Sequence, residues 1–162
     1  MTQTINFNEI SVHPSAEESP GFLLWRVSTL WRKAIEAVLK PLGLTHPQFV
    51  VLATTGWLTR TGKRASQAEI GRQAALDPNT TSQILRGLQA KGLIERSQST
   101  DERSKHPVLT ATGAESLAKA MPAVESADAA FFASVDLKGS AILKTLQILA
   151  RSKPLKNERE PI

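Results

Sequence analysis

Apolar residues recur along most of this chain with the period of a helix. Val27, Leu30, Trp31, Ala34, Ile35 and Val38 fall at three- and four-residue spacing, which makes one broad apolar stripe. The spacing predicts a helix over 21–39, stopped by Lys40-Pro41-Leu42-Gly43. A second helix is predicted from Thr45-His46-Pro47-Gln48, where Thr45 and Gln48 have capping-box spacing, to about Arg60. Ser66-Gln67-Ala68-Glu69 repeats that logic and opens a short helix to about Ala74. Asp77 then caps a fourth helix, with Pro78 at its first position, where the missing N–H costs nothing. Lys91-Gly92 closes it with a basic last residue and a glycine stop.

After Gly92 the pattern changes. Two strand-like stretches, 93–97 and 105–109, flank a polar, charged loop and predict a hairpin. Thr110 is placed to cap a further helix that starts near Gly113 and reaches about Phe132, with Pro122 as a kink. A last helix is expected over about 137–149. Residues 1–20, punctuated by Pro14 and Pro20, read as a flexible arm, and the charged residues 151–162 as a loose tail. The fold class is therefore mainly α with a small β-hairpin.

The helix from Asp77 to Lys91 has two unlike sides. Thr81, Ile84, Leu85 and Leu88 follow the inward spacing. Asn79, Ser82, Gln83 and Arg86 point elsewhere, with Thr80 near the boundary. That outer side has amides, hydroxyls and a guanidinium but no carboxylate. Such groups pair with base edges in a major groove, and they also suit an ordinary solvated helix face. The following loop holds Asp101, Arg103 and Lys105. An arginine at a hairpin tip suits a narrow minor groove, with Asp101 spaced to hold it, and it also suits a plain surface turn. A helix, a tight turn, a second helix and a basic-tipped hairpin is the order of a winged helix-turn-helix.

Composition narrows the rest. The 162 residues suit one domain, or one with helical extensions. There is no cysteine, so disulfides, thiol catalysis and cysteine-rich zinc sites are excluded. The longest apolar run, Phe49 to Ala53, is far short of a membrane span, and residues 1–20 contain no Lys or Arg and do not resemble a signal peptide. A cytoplasmic protein is expected. The net charge of +5 combines an acidic first segment with a basic body, which suits a polyanionic partner. His13, His46 and His106 are scattered, so no metal site is expected. No nucleophile–base pair, glycine-rich phosphate loop or carboxylate pair is found. Neither an enzyme nor a cofactor is expected.

The run from Leu76 to Arg96 resembles the recognition helix and first wing strand of the multiple-antibiotic-resistance regulator (MarR) family. Asp101-Glu102-Arg103-Ser104, followed by Leu109-Thr110-Ala111-Thr112-Gly113, looks like that family's wing and the start of its next helix. Leu44 to Phe49 is similar to the opening of its second helix. The resemblance spans about residues 21–150. It implies dimerisation helices at 21–44 and 113–150 flanking a winged helix-turn-helix lobe at 45–112. It also implies a homodimeric repressor of transcription on a pseudo-palindromic double-stranded DNA operator, released by a small, aromatic or anionic effector. Asn79, Thr80, Ser82, Gln83, Arg86, Arg103 and Lys105 would then contact DNA.

Three features depart from the pattern or stay open. Glu102 stands where such wings are often basic. Pro107 removes a ladder donor from the second wing strand. Gly87, in mid-helix, fits either close packing or close DNA approach. Trp25, Trp31, His46, Phe49 and Trp57 fit an effector pocket, or else the core. A winged-helix protein-interaction module without DNA binding is the competing function, since fold does not fix function.

Overall fold

The computed structural model describes residues 5–96, 106–135 and 141–151. Two short elements come first, helix α1 (Phe7–Ile10) and a 3-10 turn (Ala16–Glu18), neither with a buried side chain. The segment read as an arm is thus partly wound but makes no core. Helix α2 (Pro20–Leu39) starts one residue earlier than the apolar stripe suggests, because Ser19 caps it and Pro20 takes its first position. Ile35 and Leu39 at its far end are fully buried. Its first half is not, as Leu24, Trp25 and Leu30 stay exposed.

Helix α3 (His46–Thr59) opens with the expected capping box, both reciprocal bonds of Thr45 and Gln48 being present. Helix α4 (Gln67–Gln73) has the same arrangement in Ser66 and Glu69. The Glu69 carboxyl is held below its ordinary range by the Ser66 backbone N–H and then by the Ser66 hydroxyl. The chain leaves α4 with Ala75 in the left-handed region, φ 54°. Leu76 N donates to Gly71 O at 2.8 Å and Ala75 N to Arg72 O at 3.3 Å, the paired bonds that normally recruit a glycine. Helix α5 (Pro78–Ala90) follows, capped by Asp77.

Strands β1 (Ile94–Arg96) and β2 (Pro107–Leu109) form an antiparallel pair with Ile94 opposite Leu109 and Arg96 opposite Pro107. Pro107 begins its strand and is buried, a position that tolerates the missing donor. Helix α6 (Ala111–Phe131) begins two residues before the expected Gly113, with Thr110 as its cap. Thr110 Oγ1 accepts from Gly113 N at 2.9 Å and donates to the Gly92 carbonyl at 2.6 Å. Helix α7 (Ala141–Arg151) has no buried residue.

The core lies where α2, α3, α5 and α6 meet. Ile35, Leu39, Val51, Leu52, Leu85, Leu88 and Ala120 are fully enclosed there, with Ile70 from α4 and Ile94 from β1 closing the lower side. The α2–α6 pairing is the most extensive between two elements. No helix among the described residues is long and apolar enough to cross a membrane.

Candidate nucleic-acid interface

Helix α5 sorts its residues as its spacing demands. Thr81, Leu85 and Leu88 are buried, and Ile84 packs at the edge of the core. Asn79, Gln83 and Arg86 are exposed, and Thr80 and Ser82 are half-buried. The outer side therefore presents two amides and a guanidinium to solvent, flanked by hydroxyls. α4 packs against the inner side, so the α4–turn–α5 unit holds α5 as one rigid body with the core.

Two details change the chemistry available at the start of α5. The Asp77 carboxylate accepts from Thr80 N at 2.9 Å and from the Thr80 hydroxyl at 2.5 Å. These bonds, the hydroxyl's first, hold the Asp77 carboxyl below its usual range. One backbone donor at this helix end, Thr80 N, is thus taken by the helix's own cap. Thr80 has likewise committed its only hydroxyl proton and offers lone pairs alone. Among the outer residues of this helix, Asn79, Ser82, Gln83 and Arg86 are the ones for which no hydrogen bond to a neighbouring side chain is seen among the described residues.

Asp101, Arg103 and Lys105 lie outside the described residues. The foot of the hairpin is described. Arg96 buries Nε and Nη2 there with no hydrogen-bond partner among the described residues, a costly arrangement for a guanidinium. Sequence patterning did not single out Arg96, because a basic residue at a strand end reads as ordinary surface.

The other end of α5 is tied to the α2–α3 junction. Lys91 Nζ donates to the Gly43 carbonyl and to Gln48 Oε1, both at 2.7 Å. Gly87 faces Gln48, and a methyl group there would meet Gln48 Nε2 at 3.5 Å, an ordinary contact. Close packing within the chain therefore does not require the glycine.

The five aromatic residues offered for an effector pocket are not all brought together. Phe49 belongs to the core at 7% exposure. Trp25 and Trp57 are 66% and 60% exposed, and the Arg60 guanidinium lies 3.6 Å from the Trp57 ring centre. His46 packs edge-on against Trp31, ring centres 5.0 Å apart. Burial, more than any charge, lowers the His46 pKa, with Glu36 acting against it. A cavity of about 370 Å³ lies elsewhere, walled by Leu24, Val27, Phe132 and Leu146, with Ser28, Trp31 and Asp128 as its polar members. Trp31 Nε1 donates to Asp128 Oδ1 at 2.6 Å across that wall, joining α2 to α6. Of the aromatic residues offered for a pocket, Trp31 lines this cavity, while its in-register position in α2 also fits the core.

The sequence pattern of the MarR family matches residues 44–105, from the lead into α3 to the wing. YdcH, an HTH-type transcriptional regulator of Bacillus subtilis, is 35% identical over 134 residues, covering 82% of this chain and 90% of that protein. The chain belongs to the MarR family of transcriptional regulators. The HTH-type transcriptional repressor Rv2887 of Mycobacterium tuberculosis is 36% identical over 116 residues, covering 70% and 81% of the two chains. Crystal structures of Rv2887 include a complex with DNA, at TM-score 0.61 and 30% identity, and one with salicylic acid, at TM-score 0.61 and 33% identity. Each match covers 83% of this chain and 98% of that one. A MarR-family regulator from Rhodococcus sp. RHA1 superposes at TM-score 0.75 with 23% identity, over 86% and 99% of the chains, which speaks to the fold alone. As a MarR-family chain, this protein is mainly helical with a two-stranded wing, in agreement with the sequence expectation.

Proposed function

We propose that this MarR-family regulator is a homodimeric repressor that reads a pseudo-palindromic duplex operator with α5 and its wing, and is released by a small effector. The observation that carries the reading is the outer side of α5, where exposed Asn79, Gln83 and Arg86 stand over buried Thr81, Leu85 and Leu88. Gln and Asn pair with adenine and Arg with guanine. Arg103 and Lys105, with Asp101 as support, extend the contact into the neighbouring groove. The naming of Rv2887 as a repressor, and its capture with both DNA and salicylic acid, supports repression and effector release.

Dimerisation is assigned to residues 21–44 and 113–150. Leu23 and Leu30 on α2, and Leu143 and Leu149 on α7, are exposed apolar groups that a second copy would cover. Two copies of α5 on a two-fold axis then meet half-sites roughly 34–36 Å apart. The protein acts in the cytoplasm, without catalysis.

Footprinting of the purified protein on the DNA upstream of its own reading frame tests this. A protected palindrome is expected, with affinity falling steeply as salt rises. Arg86→Ala and Gln83→Ala should each cost about 1–3 kcal/mol and relax preference at single base pairs. Binding that is unchanged in both variants refutes the assignment of α5.

A further inference from the structure

The cavity between α2, α6 and α7 has an unusual hydrogen-bonding balance. Its walls are apolar apart from three residues, Ser28, Trp31 and Asp128. Each donor among these is already engaged. The Trp31 indole N–H goes to Asp128 Oδ1 at 2.6 Å, and the Ser28 hydroxyl goes to the Trp25 carbonyl at 3.0 Å. Helix backbone donors are spent within α2 and α6. What remains is acceptors, the second oxygen of Asp128 and the lone pairs of Ser28 Oγ, beside a carboxylate charge that no described cation pairs at hydrogen-bond distance.

From this balance we infer that the cavity binds a small amphipathic amine, an apolar or aromatic body carrying an ammonium group, and rejects aromatic acids. The volume of about 370 Å³ lies at the small end of ligand sites and suits a one- or two-ring body. The ammonium supplies the donors the wall lacks and meets the Asp128 charge, with the Trp31 and Phe132 rings close enough to add cation–π attraction. A carboxylate in the same place would face Asp128 with no donor to satisfy it, so it loses both the hydrogen bond and the charge balance.

The site also has a route to DNA binding. The Trp31 ring that lines the cavity is the one that packs on His46, the first residue of α3, and α3 carries the winged lobe. An ammonium on Asp128 competes with the indole N–H for that carboxylate and loosens the contact. The inference deepens the effector part of the proposed function and rests on it for this last step only.

The test uses the full-length protein and two probes of one shape and opposite charge, phenethylamine and phenylacetate. Calorimetric titration in the absence of DNA should show phenethylamine binding at least about tenfold more tightly. Asp128→Asn keeps an acceptor for Trp31 and should erase that preference, with helical content and DNA binding as controls on folding. Equal or tighter binding of phenylacetate, no phenethylamine binding up to millimolar concentration, or an undiminished preference in Asp128→Asn overturns the inference. The second of these is also what a partner copy filling the cavity would produce. Operator binding is measured separately. Loss of amine binding with operator binding intact overturns this inference alone, whereas amine binding to a protein that protects no operator overturns the proposed function alone.

Discussion

Gly113→Ala should cripple this fold although it adds a single methyl group. A Cβ built at Gly113 lies 1.8 Å from the Leu93 carbonyl oxygen and 2.8 Å from its carbon. These are backbone atoms at the entry to β1, so no rotamer change relieves the clash. Restoring ordinary contact, from 3.4 Å upward, needs a separation of about 1.5 Å between the first turn of α6 and the wing base. Three bonds cross that seam or close it. Thr110 N donates to Leu93 O at 3.2 Å, the Thr110 hydroxyl donates to Gly92 O at 2.6 Å, and Gly113 N donates to Thr110 Oγ1 at 2.9 Å. Losing the cap costs about 1 kcal/mol, and overpacking adds about 1–3 kcal/mol. A total near 3 kcal/mol lowers Tm by roughly 6–12 °C for a chain of this size. Gly21→Ala is the control, since its Cβ would meet nothing within 4 Å. In α2 it should stabilise by about 0.5 kcal/mol through reduced chain entropy. Thermal melts of both variants at one protein concentration decide the matter. A Gly113→Ala protein melting within about 2 °C of the parent refutes the geometry of the seam.

Ala75→Gly should raise stability by about 0.5–1 kcal/mol in a denaturant titration, because an exposed alanine there holds a left-handed conformation that glycine adopts freely. Gly87→Ala should also stabilise, by about 1 kcal/mol, since its methyl group finds only an ordinary contact with Gln48; a loss of stability in the same titration contradicts the α3–α5 packing. The half-buried His46 has its pKa lowered from 6.5, so the unfolded chain binds the proton more readily. Its contribution is present above pH 6.5 and is lost as pH falls through the folded value. Tm should therefore decline below that point in the parent, and the decline should flatten in His46→Phe, which keeps the ring edge on Trp31.

Much of the fold was legible because local rules and burial agree. Thr45/Gln48, Ser66/Glu69 and Asp77/Pro78 each announce a helix start by chemistry that acts within four residues, and each cap forms. The two sides of α5 were legible for the same reason, as its periodicity matches its burial residue by residue. Contacts set by the approach of distant segments were not legible. Thr110 looks like a cap in sequence, but its second bond, to Gly92, and the pressure of Gly113 on Leu93 exist only once α6 is folded back over β1. The aromatic residues show the limit most clearly. Trp25, Phe49 and Trp57 share a residue class and helical settings, yet one is core and two are exposed, because the choice depends on which helix crosses where. Trp31 reads as one more stripe residue, while its N–H finds a carboxylate 97 positions away.

That bond and the Lys91 tie join segments that are distant in sequence. The α2–α3 junction is short, and both ties bracket it. Trp31 holds the dimer-side helices α2 and α6 together while its ring edge rests on His46 at the start of α3. Lys91, at the end of α5, holds Gly43 and Gln48 on the other side of the same junction. In the proposed switch a shift of the Trp31 ring would reach one end of α3, and the Lys91 bonds would carry a change in junction angle to α5. The Lys91 bonds are exposed and the Trp31 bond part-buried, and hydrogen bonds to charged groups contribute only about 1.5–3 kcal/mol each. That weakness is what a switch needs, because a ligand shifts an equilibrium only by its differential affinity for the two arrangements, and a stiff core linkage at this junction would exceed what a small molecule can supply.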